Sequence, residues 1–178
     1  EYLKEKVISR SGINREVHII NNAISLPQIR HFDSFPSKVQ DAINLLKSLK
    51  CSLLYIGTIS QWFDFKLICE ALDKKEDVQL VLIGPKDCDI PSHKQIHYIG
   101  SVERQYIYSL MEQASALVMP FIVNELIRSV NPVKMYEYIY MEKPIIAPHY
   151  GEMEKFLPYI NLYHDNDEFM SLVDQLSK

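Results

Sequence analysis

The chain of 178 residues is 47% hydrophobic and 24% charged, with a formal net charge of −4. That length holds one well-buried domain and is short for two, and the composition is that of an ordinary soluble globular chain. Charges of both signs are mixed throughout, which argues against a nucleic-acid binder relying on a broad basic surface, and no run of 18 apolar residues occurs, which excludes a transmembrane helix.

In chain order, Glu1 to Arg10 read as the end of a helix, and Val17-His18-Ile19-Ile20 as a lone strand before Asn21-Asn22. Residues 25–38 contain two prolines and little periodicity, the pattern of a linker leading into a helix near Val39 to Leu49. Residues 1–36 are therefore read as an N-terminal appendage or interdomain linker, and residues 37–178 as one α/β unit. The chain begins at Glu1 without a methionine or signal peptide, which reads as a piece of a longer protein.

From there short apolar runs alternate with amphipathic stretches, predicting a parallel sheet with helices on both faces. Ser52-Leu53-Leu54-Tyr55-Ile56 is a strand ending at Gly57. Asp64 caps a helix to about Leu72, with Leu67, Ile68, Ala71 and Leu72 on one stripe. Strands follow at Val78–Ile83, ending in Gly84-Pro85, and at Ile96–Ile99, ending in Gly100. A helix is predicted from Glu103 to Gln113, then a strand at Ala116–Met119 stopped by Pro120. After a polar loop, Asn131-Pro132 opens a helix, Pro144–Ala147 forms a strand, and Asp165 with Glu168 opens the last helix as a capping-box-like pair.

Ligands of open parallel sheets bind beyond the carboxyl ends of the strands. Gly57-Thr58, Gly84-Pro85 and Gly100-Ser101 end three strands, and glycine permits close approach of backbone to ligand. No G-x-G-x-x-G follows the first strand and no Walker A loop is present, so a nicotinamide, flavin or ordinary nucleotide-triphosphatase site is not expected. His93, His97, His149 and His164 lack metal-ligand spacing, and neither a metal nor a cofactor is expected. Cys51, Cys69 and Cys88 form no zinc or disulfide pattern and are expected as small buried apolar side chains in a reducing, cytoplasmic setting. Trp62 is expected to be a half-buried packing residue.

The most informative stretch is Ser129-Val130-Asn131-Pro132-Val133-Lys134-Met135-Tyr136-Glu137-Tyr138. Asn131 suits an N-cap and Pro132 the first helical position, leaving the amides of Val133 and Lys134 pointing out of a helix end that favours anions. Lys134 there opposes the helix dipole unless an anion is bound. Glu137, one turn deeper on the same face, is placed to accept the two hydroxyls of a ribose. The same residues read equally well as an ordinary helix start with a surface ion pair, worth about 0.2–0.5 kcal/mol.

This segment, followed by Lys143-Pro144-Ile145-Ile146-Ala147, resembles the donor-site helix and next strand of GT-B-fold glycosyltransferases, especially bacterial enzymes of capsule, exopolysaccharide and teichuronic acid synthesis. Tyr55–Asp64, Leu80–Pro85 and His97–Val102 are similar to earlier elements of the C-terminal domain in the same order, and Val17–Ala23 to the exit from the N-terminal domain. The resemblance implies a Rossmann-like, donor-binding C-terminal half. It implies transfer of a sugar from a nucleoside diphosphate donor, UDP more than GDP, to a glycan or lipid-linked acceptor of cell-surface polysaccharide.

By carry-over, Lys134 would contact the diphosphate, Glu137 the ribose, and Gly57 and Thr58 the phosphates from the opposite rim. The loop from Tyr98 to Val102 would line the base pocket. The loop from Phe121 to Arg128, with Asn124 and Glu125, would face the sugar. Ser129 stands where many retaining relatives carry a glutamate, and Ser60-Gln61-Trp62 where many carry an arginine and a lysine. The acceptor site and catalytic base would lie in an N-terminal domain, leaving this part inactive alone. The implied setting is cytoplasmic; lipid-linked acceptors would bring the whole protein to the inner membrane face, although no residue here argues for it. Two alternatives remain open: a sugar-nucleotide epimerase on the same fold, for which Glu125 and His149 are the candidates, and a non-catalytic nucleotide-binding or scaffold domain.

Overall fold

The apolar runs become strands of a parallel sheet covered by helices, buried most fully at its centre. The computed structural model describes residues 2–11, 18, 20, 22–24 and 32–176. Its strands are β1 (Cys51–Ile56), β2 (Val78–Ile83), β3 (Ile96–Gly100), β4 (Ala116–Val118), β5 (Ile145–Pro148) and β6 (Asn161–Tyr163). All pair in parallel, in the order β3-β2-β1-β4-β5-β6. The chain builds outward from β1 to β3 and then returns to the other side of β1, so the direction of winding switches between β1 and β4. Every residue of β1 is buried, as befits the strand from which both halves of the sheet grow.

The helices are α1 (Tyr2–Ser11), α2 (Ser37–Ser48), α3 (Phe65–Lys74), α4 (Ile107–Gln113), α5 (Glu125–Arg128), α6 (Val133–Tyr140) and α7 (Asn166–Leu176). In α3 the predicted stripe of Leu67, Ile68, Ala71 and Leu72 is buried, and Asp64 accepts the Leu67 amide at 2.9 Å. Burial of one large aliphatic side chain stabilises by about 1.5–3 kcal/mol, so this stripe alone anchors the helix to the sheet. Among the described residues no helix is long and apolar enough to cross a membrane.

Several expectations change in detail. The helix expected from Glu103 begins as a tight turn, Arg104–Tyr106, before α4 proper. Tyr106 in that turn meets Phe32 and Phe35, with ring centroids 4.9 and 6.0 Å away, and this contact ties the turn to the chain entering α2. The polar loop after β4 contains α5, whose first turn is capped by Asn124 accepting the Ile127 amide. A turn at Gly151–Phe156 and the edge strand β6, neither read from the sequence, complete the sheet. Asp165 accepts the Glu168 amide as expected, but Glu168 reaches back to the His164 amide instead of closing on Asp165. Cys51 is buried, whereas Cys69 is half-buried because it lies mid-helix beside the buried stripe of α3, and Cys88 is half-buried in the loop after β2; burial still holds all three thiols above their usual pKa. Trp62 packs half-buried against the core. Of the strand expected at Val17–Ile20, positions 17 and 19 lie outside the described residues, and His18 and Ile20 belong to no strand.

Candidate functional site

The carboxyl ends of β1, β2 and β3 stop at one level because their registers match. Ile56 pairs with Ile83, and Ile83 with Gly100. Each strand then passes through its glycine: the Gly57 amide donates to Ile83 O and the Gly84 amide to Gly100 O, both at 3.0 Å. Gly84, with φ of +138°, lies where a Cβ would sit 2.1 Å from the Gly57 carbonyl oxygen. Only glycine lets these two chains run so close. Beyond them Ile59 and Lys86 continue the parallel pairing as a bridge, so the loops after β1 and β2 form a single floor.

Over that floor opens a cleft of about 200 Å³, lined by Gly57 and Thr58 after β1, Gly84 and Pro85 after β2, and Ser101 and Val102 after β3, with Ile107 and Lys134 above. Tyr55, buried beneath, donates its hydroxyl to the Thr58 carbonyl at 2.8 Å and fixes the turn. On the outer side Tyr98 donates to the Gly84 carbonyl at 3.0 Å, with the Lys86 ammonium 5.4 Å from its ring centre.

Helix α6 brings Lys134 to the cleft and is locked by Tyr138. The Tyr138 hydroxyl, wholly buried, accepts the Ile56 amide at 3.0 Å, joining the middle of α6 to the end of β1. The helix starts one residue later than the sequence suggests. Pro132, with φ −77° and ψ 104°, occupies the cap position, and Asn131 does not cap. The Asn131 side chain is turned inward instead, its Oδ1 buried without a partner among the described residues. The amides at the helix opening are nonetheless those of Val133 and Lys134, and Val133 is exposed.

The pair Lys134 and Glu137 forms, but it is not a surface pair. Glu137 is 7% exposed. It accepts from Lys134 Nζ at 2.6 Å and, through its other oxygen, from Arg104 at 2.8 Å. Burial, followed by the nearby Glu137 charge, holds the Tyr108 phenol above its usual pKa, so it stays protonated beside that carboxylate. Two cations thus face one carboxylate, and of these three side chains Lys134 is the one that lines the cleft. Arg104 was not read from the sequence; it lies 33 positions from Glu137, and only the winding of the sheet brings them together.

Of the residues singled out from the sequence, Gly57, Thr58, Val102 and Lys134 line the cleft, Glu137 touches Lys134, and Tyr98 touches Gly84. Glu125, Ser129 and Asn131 are not in that lining. Glu125 opens α5 and forms an ion pair with Lys6 of α1, while Ser129 ends α5 with its hydroxyl on the Leu126 carbonyl at 2.6 Å. His149 bonds to Glu154 and stacks on His164, with ring centroids 4.4 Å apart. Among the described residues no three His, Cys, Asp or Glu side chains are grouped as metal ligands.

The fold recurs in solved structures. E. coli trehalose-6-phosphate synthase bound to UDP-2-fluoro glucose superposes with a TM-score of 0.60 at 11% identity, over 80% of this chain and 39% of that one. Anabaena Alr3699/HepE in complex with UDP and glucose gives a TM-score of 0.59 at 14% identity, over 80% and 43%. This is the fold of half a GT-B glycosyltransferase. A Listeria monocytogenes structure described as a UDP-N-acetylglucosamine 2-epimerase shares it at a TM-score of 0.52 and 11% identity, over 82% and 40%. No protein-family model matches the chain. In sequence the whole chain is 23% identical to the C-terminal part of the Bacillus subtilis (strain 168) protein TuaH, provisionally named as a teichuronic acid biosynthesis glycosyltransferase, and spans 46% of its length.

Proposed function

We propose that this chain is the donor-binding half of a glycosyltransferase, holding a nucleoside diphosphate-sugar with its diphosphate at the opening of α6. The observation that carries the reading is that Lys134, in the first turn of α6, and the turns that follow β1, β2 and β3 line one cleft. A helix opening and a lysine stabilise a diphosphate leaving group electrostatically as its charge develops. The buried Glu137 retains lone pairs for a ribose diol beyond those used by Lys134 and Arg104.

The cleft, at about 200 Å³, is smaller than the roughly 300–1,000 Å³ usual for a ligand site, so it encloses part of a donor and leaves the rest to an opposing surface. Residues 1–36 would then be the appendage toward that surface and residues 37–178 the donor domain. The acceptor, a glycan or lipid-linked sugar, and the catalytic base would belong to the other half. The two UDP complexes of similar fold favour UDP over GDP. The place of work would be the cytoplasm, including the inner face of the membrane where acceptors are lipid-linked. The epimerase reading shares the fold, but its candidate residues are engaged apart from each other, Glu125 with Lys6 and His149 with Glu154 and His164.

Calorimetric titration of UDP and of GDP into the chain, beside Lys134→Ala and Glu137→Ala, tests the proposal. Binding of UDP, weakened at least about tenfold by each substitution, is expected, since one charge-assisted contact is worth about 1.5–3 kcal/mol. A folded wild-type chain that binds neither nucleotide would refute the site.

A further inference from the structure

Resting on that reading of the cleft, we infer that Arg104 is the positioning residue that holds Glu137 on the ribose while Lys134 is released to the diphosphate. In the structure as it stands both cations are spent on one carboxylate: Lys134 reaches Oε2 at 2.6 Å and Arg104 reaches Oε1 at 2.8 Å. The Lys134 side chain lines the cleft and is 25% exposed, so turning it toward a bound anion requires only a change of rotamer. Glu137, with its side chain 9% exposed, cannot turn to water when Lys134 leaves. A buried carboxylate stripped of its partners is strongly destabilising, so a Lys134 that served as the sole counter-ion could not be surrendered.

Arg104 removes that constraint. Its tight turn is pinned by the Tyr106 amide donating to Glu103 O at 3.0 Å, and by Tyr106 packing on Phe32 and Phe35. The guanidinium approaches Glu137 from outside the cleft, 77% exposed, through Oε1 and not the oxygen used by Lys134. It therefore keeps Glu137 compensated and aimed whether or not Lys134 is engaged. The arrangement also answers the lack of cations in the loop after β1, where Ser60 is buried and Trp62 packs on the core. The second positive charge of the site enters from the turn after β3 instead.

The test compares UDP with 2′,3′-dideoxy-UDP by calorimetry on the wild-type chain, Arg104→Gln, Arg104→Lys, Glu137→Gln and the Arg104→Gln/Glu137→Gln double variant. Arg104→Gln is expected to weaken UDP by more than about tenfold and dideoxy-UDP by a smaller factor, because a Lys134 left as the sole counter-ion of Glu137 is withheld from the diphosphate of both, while the ribose contact is lost from UDP alone. Lysine at the position should rescue part of the loss. In the Glu137→Gln background the Arg104 substitution should add nothing, since the residue acts through Glu137. Equal losses for UDP and dideoxy-UDP, or additive effects in the double variant, would overturn the positioning role while leaving the nucleotide site intact. Failure of the wild-type chain to bind UDP would overturn the site and this inference together. Because Arg104 is exposed, matched melting curves suffice to show that the variants fold.

Discussion

Replacing Gly84 by alanine probes whether the cleft floor is as tightly built as the geometry indicates. The added Cβ would lie 2.1 Å from the Gly57 carbonyl oxygen and 2.8 Å from its carbonyl carbon, both rigid backbone atoms, at a φ of +138° that side chains rarely adopt. Relieving the contact means parting the turns after β1 and β2 by more than an ångström, against ordinary carbon contacts of about 3.5–4.0 Å. That movement strains the bond from the Gly57 amide to Ile83 O, now 3.0 Å long. Backbone strain of about 1–3 kcal/mol and a weakened buried hydrogen bond of about 1–3 kcal/mol combine to roughly 3–5 kcal/mol. For a domain of this size that lowers the melting temperature by on the order of 10 °C. Gly151→Ala is the control, since a Cβ there meets no heavy atom within 4 Å, and it should leave the melting temperature nearly unchanged. The assay is thermal denaturation followed by circular dichroism. A Gly84→Ala chain melting within about 2 °C of wild type would refute the close approach of the two turns.

Two further outcomes follow from single contacts. Tyr138→Phe strands the Ile56 amide in the core, where its acceptor is the Tyr138 hydroxyl, and should lose about 1–3 kcal/mol in urea denaturation with no change of slope. Glu168 is held below the ordinary carboxylate value of 4.5, first by its bond to the His164 side chain and then by that to the His164 backbone amide. A depressed carboxylate stabilises above its unfolded pKa and loses that contribution as the pH falls through its folded one. Wild type should therefore lose more stability than Glu168→Gln as the pH drops below about 4.5, and coinciding acid-denaturation profiles would contradict this.

The strands of the central sheet were legible because parallel strands buried on both faces read as unbroken apolar runs. Val78–Ile83 is the clearest case, and its ends match the sequence reading. The Asp64 cap was legible for a similar reason: a single side chain and the amide three residues on suffice to make it. Where the outcome depended on neighbours, local reading failed. β6 has only three residues, with just Tyr163 buried, so its sequence carries no apolar run and its strand state comes from pairing with β5. The start of α6 moved because Asn131, a good cap by itself, is drawn inward and leaves the cap position to Pro132.

The same boundary between local and assembled information runs through the candidate site. Lys134 and Glu137 lie three residues apart on a helix, so their meeting follows from helical geometry alone, and the pair was foreseen. Its burial was not, because that depends on α4 and the turn before it closing over Glu137. Burial changes the physics: an exposed pair contributes little, whereas a carboxylate shielded from water must keep a counter-ion at all times. The sequence reading placed a lysine where it opposes the helix dipole and looked to an anion to justify it. Glu137 partly supplies that negative charge inside the chain. Arg104, 33 positions away, adds a second cation to that carboxylate from outside the cleft. The charge balance around Glu137 is thus a property of the sheet winding, which sets the turn after β3 beside α6, more than of any one motif.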